Sequence, residues 1–203
     1  MTHMFYRFAR QCVRLYLFFK LGPVKVQHRE RAQRDQPYIL VAEHHHAWDA
    51  LLYASLLAPT PFFFMAKQAL FKRPVLGRLL RWLNAFPVDR GQANVAALHD
   101  TIDHLKTQPE SLIVFPSGSR YSTTLKSGYL VVAHDTGAPI IPAVFQSRGW
   151  GRNTLIVGEP VVTDPDQPLN RKQRERATHE LHQKFVGLQA EMPKPKSLLQ
   201  VFS

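Results

Sequence analysis

One cysteine, Cys12, is present in 203 residues. A single thiol excludes an internal disulfide framework and suits a reducing compartment. Cysteine-rich zinc sites lack their ligands, and neither H-E-x-x-H nor C-x-x-C spacing occurs. No uninterrupted apolar run reaches the roughly 18 residues that a membrane-spanning helix needs. The phosphate-loop signature G-x-x-x-x-G-K-[ST] is missing, which argues against nucleotide hydrolysis. The serine-nucleophile elbow G-x-S-x-G is missing as well. There are no internal repeats and no low-complexity linker. Acidic residues are few, 15 Asp plus Glu against 26 Lys plus Arg, which leaves a formal charge of +11. That balance favours anionic partners: an anionic membrane surface, phosphorylated substrates or nucleic acid.

What is present is a chain with 45% hydrophobic residues, long enough for one sizeable core. Continuous apolar runs at 38–43, 62–66, 111–115, 140–145 and 154–158 read as buried strands. Shorter strands are expected at 24–26 and 86–88. Helical spacing occurs at 48–57, at 68–84 with a break at Pro74, and at about 94–107, 129–136 and 171–192. This alternation predicts an α/β fold: a single domain over residues 23–192 whose mainly parallel β-sheet is flanked by helices. Residues 1–22 are expected to form an N-terminal amphipathic helix, and 193–203 a loose tail.

In that first helix, Arg7, Arg10, Gln11 and Arg14 share one face at roughly 100° per residue. Phe5, Phe8, Cys12, Leu15 and Phe19 fall largely opposite. A basic, aromatic-rich amphipathic helix fits an interfacial membrane anchor. The alternative is a terminal helix that packs on its own domain. Its arginines and the lack of a small-residue cleavage site make it a poor signal peptide.

Three consecutive histidines stand in 43-EHHHAWD-49. Adjacent side chains of an extended segment point to opposite faces, so three in a row rarely converge on one ion, and no metal is expected. His44 is placed at a strand end and Asp49 in the first turn of the next helix. Within one helix the two would lie about 140° apart and would not meet. A break between them lets the carboxylate reach back to the imidazole, fix its tautomer and leave the other ring nitrogen as a base. Such a dyad can take a proton from an alcohol attacking an acyl donor. His45 and His46 read as packing or solvent residues.

Three further segments carry candidate chemistry. In 84-NAFPVDRGQ-92, Arg90 can clamp a phosphate, or it forms a surface pair with Asp89 at a turn. In 112-LIVFPSGSRYS-122, a tight turn follows a strand. Its backbone N–H groups, with Arg120, can hold phosphate oxygens, and Ser117 and Ser119 are candidate nucleophiles without an elbow motif. Lys67 follows 62-FFFMA-66, where a solvated lysine is the ordinary reading. The apolar 138-APIIPAVF-145 is expected to be structural, with Pro139 and Pro142 shaping the wall and ends of a buried strand.

Taken in order, 43-EHHHAWD-49, 86-FPVDRG-91, 115-FPSGSRYS-122 and 139-PIIPAV-144 resemble the four blocks of the glycerophospholipid acyltransferase family, above all its lysophosphatidic acid acyltransferase group. Those blocks are N-H-x-S-x-x-D, a segment ending D-R, F-P-E-G-T-R-S, and P-(V/I)-(I/V)-P-V. The stretch 66-AKQALFKRPVLG-77 is similar to the family's A-K-x-x-L-x-x-x-P-x-x-G run. The resemblance covers roughly residues 37 to 146.

It implies an O-acyltransferase that moves a fatty acyl group from an acyl thioester to the hydroxyl of a lysophospholipid such as 1-acylglycerol-3-phosphate. The thioester, on CoA or acyl carrier protein, is a co-substrate, and no cofactor is implied. His44 would be the general base and Asp49 its orienting carboxylate. Arg120, Arg90 and Lys67 would bind the acceptor phosphate, with Ser119 in the same turn and Gly118 letting the backbone approach. The expected partners are the donor, the lysophospholipid acceptor and an anionic membrane surface, with the protein peripheral on its cytoplasmic face and nucleic acid not among them.

This sequence departs from the blocks in having Ser117 for the family's Glu, Glu43 for Asn and His46 for Ser. The first change removes a carboxylate near the acceptor and leaves open another lysolipid or a non-phospholipid alcohol. Two competing readings are a basic lipid- or nucleic-acid-binding module without catalysis, and a metal hydrolase using the histidine run. The module accounts for the charge but not for four ordered blocks.

Overall fold

The computed structural model describes residues 2–32, 35–88, 95–117, 127–164 and 167–193. Helix α1 (Thr2–Leu21) leads through Gly22 into β1 (Val24–Gln27) and a 3-10 turn (Arg29–Ala32). Then come β2 (Ile39–Ala42), α2 (Asp49–Leu56), β3 (Phe62–Lys67), α3 (Gln68–Phe71), α4 (Pro74–Trp82) and β4 (Ala85–Val88). The remainder is α5 (Val95–Thr107), β5 (Ser111–Val114), α6 (Gly128–Thr136), β6 (Ile140–Ser147), β7 (Asn153–Val157) and α7 (Arg171–Ala190). Each expected strand and helix is present, with its ends within a residue or two.

The strands form one sheet in the order β1-β7-β6-β2-β5-β3-β4. Every neighbouring pair is parallel except β6 and β7, which form an antiparallel hairpin. Apolar side chains on the central strands alternate between two cores, because successive residues of a strand face opposite sides. Leu40, Phe62, Phe64, Ile113 and Ile141 pack under α1, α2 and α4. Ile39, Val41, Phe63, Leu112 and Ile140 pack under α5, α6 and α7.

The faces that the helices take follow from the handedness of crossovers. From β2 the chain steps outward to β3 and β4 with α2, α3 and α4 on one face. It returns to β5, then passes β2 to reach β6, with α5 and α6 on the other face. Right-handed crossovers require this change of face when direction along the sheet reverses. Adjacent strands β2 and β5 therefore send their outgoing segments to opposite faces. Such a switch point opens a crevice at the carboxyl ends of the strands, where α/β proteins place their sites.

Pro142 lies inside β6 rather than at its end, opposite Val41 of β2. The β7 ladder begins one residue later, at Ala143. Gly158 donates its N–H to the Pro142 carbonyl at 2.8 Å, and the return bond that a proline cannot make ends the ladder there.

Pro74 and Gly77 of the P-x-x-G run have separable jobs. Pro74 takes the first turn of α4, where its missing N–H costs nothing. Gly77 is buried, and a Cβ there would collide with the Phe71 carbonyl that ends α3. Gly77→Ala is expected to destabilise the fold by about 1–3 kcal/mol, read as a lower midpoint in urea unfolding. An unchanged midpoint would refute the packing argument.

Helix α1 turns out to have two apolar faces. Tyr6, Ala9, Val13, Leu17 and Leu21 are buried against the domain, beside α2 and α4. Met4, Phe8, Leu15 and Phe19 stand 65%, 61%, 59% and 71% exposed on a second face. Packing on its own domain and presenting an apolar surface are thus not exclusive for this helix.

Candidate active site

The segment after β2 folds around one carboxylate. Asp49 opens α2 and is 2% exposed, so its charge must be met by donors within the protein. Its Oδ2 accepts the backbone N–H of His45 at 2.6 Å and of His46 at 2.7 Å, and lies 3.1 Å from Nδ1 of His44. A carboxylate at a helix N-terminus also gains from the helix dipole. Burial alone would raise the Asp49 carboxyl, but the bonds from His44, His46 and His45 outweigh it and hold it below its ordinary value.

Nδ1 of His44 must carry a proton to donate to this carboxylate, which assigns the lone pair to Nε2. Among the described residues Nε2 has no hydrogen-bond partner. The ring is fixed from below by Phe115, stacked at 4.3 Å between centroids and 19° between planes. Phe115 directly follows β5, so the stack is direct contact between the segments that leave β2 and β5 at the switch point.

Other neighbours hold the segment in place. His46 stacks on Trp48 at 4.4 Å, and Trp48 meets Phe145 of β6 on one side and Lys20 of α1, 4.9 Å from its ring centre, on another. Gln189 near the end of α7 donates to Oε1 of Glu43 at 2.7 Å. Tyr53, one turn beyond Asp49, is buried. Burial first, and then the carboxylates of Asp49 and Glu43, push its phenol well above its ordinary range, so it stays neutral.

Of the other expected site residues, Lys67 ends β3 with its side chain exposed, in register with Val88 of β4. Arg90, Gly118, Ser119 and Arg120 lie outside the described residues. The strands that precede them, β4 and β5, run parallel to β2 and end on the same sheet edge as His44. Among the described residues no three His, Cys, Asp or Glu side chains are grouped to hold a metal ion.

The chain matches the acyltransferase family model over residues 23–146. This chain belongs to the acyltransferase family. It is 36% identical over 196 residues to the 1-acyl-sn-glycerol-3-phosphate acyltransferase of Streptococcus pneumoniae, an alignment covering 93% of this chain and 74% of that one. Identity to the Bacillus subtilis protein of the same name is 30% over 194 residues, covering 91% of this chain and 96% of the relative. Among solved structures it is similar to PlsC, the 1-acyl-sn-glycerophosphate acyltransferase of Thermotoga maritima. That likeness has a TM-score of 0.69 at 25% identity and covers 95% of this chain and 81% of the other. The protein is an O-acyltransferase.

Two features of this candidate site escape side-chain motifs. The backbone N–H groups of His45 and His46, not their imidazoles, secure Asp49. Phe115, just past β5, stacks on the His44 ring, which becomes readable only once β2 and β5 are known to be neighbours.

The depressed Asp49 carboxyl makes stability depend on pH. A group whose pKa is lower folded than unfolded contributes its stability above the unfolded value and loses it as pH falls through the folded one. The acyltransferase should therefore lose stability as pH drops below about 4, and Asp49→Asn should lose less over that interval. Acid titration of the urea midpoint for both proteins checks this; parallel curves would exclude Asp49 as a contributor.

Proposed function

We propose that this acyltransferase moves a fatty acyl group from an acyl thioester, on CoA or acyl carrier protein, to the free hydroxyl of 1-acylglycerol-3-phosphate. The single observation that carries the chemistry is the committed orientation of His44: Nδ1 is engaged by Asp49 and Nε2 is left with its lone pair. The names of the two bacterial relatives, aligned over more than nine tenths of this chain, supply the acceptor.

In this reading Nε2 takes the proton from the acceptor hydroxyl as its oxygen attacks the thioester carbonyl. The imidazolium that forms is stabilised by the Asp49 carboxylate. The tetrahedral oxyanion then expels the thiolate, Nε2 returns the proton to the sulfur, and the products are a new ester and a free thiol. Lys67, at the end of β3, binds the acceptor phosphate together with Arg90 and Arg120, with Gly118 and Ser119. The enzyme works peripherally on the cytoplasmic face of a membrane. The exposed Met4, Phe8, Leu15 and Phe19 face of α1 enters the interface, and the basic surface meets anionic lipid.

A panel of lysolipid acceptors crossed with acyl-CoA and acyl carrier protein donors, read by mass spectrometry, tests the proposal. Phosphatidic acid is expected from 1-acylglycerol-3-phosphate with at least one donor. Turnover of a different lysolipid or alcohol in its place would overturn the acceptor assignment.

A further inference from the structure

The exposed aromatic face of α1 does not end with the helix. The hairpin between β6 and β7, 147-SRGWGRN-153, carries Trp150 at its tip, 64% exposed. Its indole lies edge-on to Phe18 at 6.5 Å, beside Phe19, and Phe18 and Phe19 are themselves 48% and 71% exposed. A large apolar side chain gains nothing by standing in water at a turn, and no core requires it there.

Three contacts weld this tip to α1. The indole N–H donates to the Phe19 carbonyl at 3.2 Å, and Gly151 N–H donates to the Leu21 carbonyl at 2.6 Å. The buried Asn153 donates its side-chain amide to the same Leu21 carbonyl. Gly22, at φ 75°, completes the joint: a Cβ there would sit 2.6 Å from Gly151 N and 2.9 Å from the indole. Hairpin and helix end therefore move as one body. Because its N–H is already satisfied, the indole can enter a hydrocarbon environment without stripping water from a donor.

Charge decides the occupant. Arg152 and Lys20 are exposed at the same joint, with Arg148 half-buried, and Arg7 and Arg14 are exposed further along α1. An aromatic cluster ringed by cations matches an anionic bilayer, with rings at the headgroup boundary and cations on phosphates.

We infer that the β6–β7 hairpin is a second membrane-contacting element, in which Trp150 inserts beside Phe18 and Phe19 to seat the C-terminal end of α1 in an anionic lipid surface. The inference rests on the membrane reading of α1 proposed above. Lys20, within the same joint, lies over Trp48 beside the His44–Asp49 segment, so this element settles the end of α1 closest to the chemistry.

Sedimentation with phosphatidylglycerol-containing and phosphatidylcholine-only vesicles tests it, on the full chain and on Trp150→Ser, Trp150→Phe and Phe8→Ser/Leu15→Ser variants whose melting temperatures are measured alongside. Trp150→Ser is expected to bind anionic vesicles about ten-fold more weakly, Trp150→Phe close to wild type, and the α1 double variant also weakly. If wild type and the double variant behave as stated while folded Trp150→Ser binds like wild type, the hairpin inference fails and the α1 reading stands. If wild type does not bind anionic vesicles, both fail. If Trp150→Ser instead abolishes a concentration-dependent dimer and vesicles have no effect, the patch is an interface between copies and the inference is overturned.

Discussion

His44→Ala is expected to lower kcat/KM for acyl transfer by about 10³- to 10⁴-fold, the contribution of a positioned general base, with little change in melting temperature. Both halves of this expectation follow from the geometry. The hydrogen bond to Asp49 orients the His44 ring and leaves its Nε2 unbonded among the described residues. Removing the ring does not strand the carboxylate, because Oδ2 keeps the N–H groups of His45 and His46 at 2.6 and 2.7 Å. The ring is one partner of the Phe115 stack, so the space it leaves is bounded by an aromatic face and not by an unpaired charge. Turnover with 1-acylglycerol-3-phosphate and an acyl thioester, measured beside thermal unfolding, decides the matter. A folded His44→Ala protein within ten-fold of wild type would exclude His44 as the base.

Asp49 should separate charge from architecture. Three donors converge on Oδ2, while Oδ1 lies 3.4 Å from Nδ1 of His46. In Asp49→Asn the amide oxygen is therefore forced into the Oδ2 position, since an NH₂ group there would face three N–H groups. All three hydrogen bonds and the His44 tautomer survive, and only the negative charge behind the imidazolium is lost. The expected result is a loss of stability at neutral pH no larger than the wild type's own loss in acid, and a rate lowered by about 10²-fold. Asp49→Ala leaves two part-buried backbone donors and the His44 ring without their acceptor, which costs about 2–3 kcal/mol and about 10³-fold or more in rate. Equal losses for the two variants, in rate and in stability, would show that the carboxylate acts only as a structural plug.

The α/β alternation was readable because the central strands are continuous apolar runs and the helices carry their own stops at Pro74 and around Pro59 and Pro61. The pairing of His44 with Asp49 was readable from a strand-to-helix break within five residues. Sheet order was not written in any local pattern: β2 sits between β5 and β6, and Phe115 reaches His44 only through that order. The Trp48 bridge from α1 to the histidine segment was hidden for the same reason, with Lys20 and Trp48 far apart in sequence. The double character of α1 was half legible. The wheel separated Phe8, Leu15 and Phe19 from the arginines, but the stripe from Tyr6 to Leu21 could be recognised as buried only against a neighbour. Arg90, Gly118, Ser119 and Arg120 rest on sequence alone.

The first strand of the chain is also the last that the sheet can accept. β1 has a single neighbour, β7, with Val24 opposite Asn153, and the hairpin that grips the end of α1 precedes β7 directly. During synthesis at ~10 residues per second, β1 leaves the ribosome roughly ten seconds before β7, and α1 leaves it several seconds before its seat on α2 and α4 is complete. Until α2 and α4 have followed, both apolar faces of the helix are open, and the hairpin that grips its end comes later still. The order of the genetic message therefore gives this helix time in contact with its surroundings before the domain closes behind it.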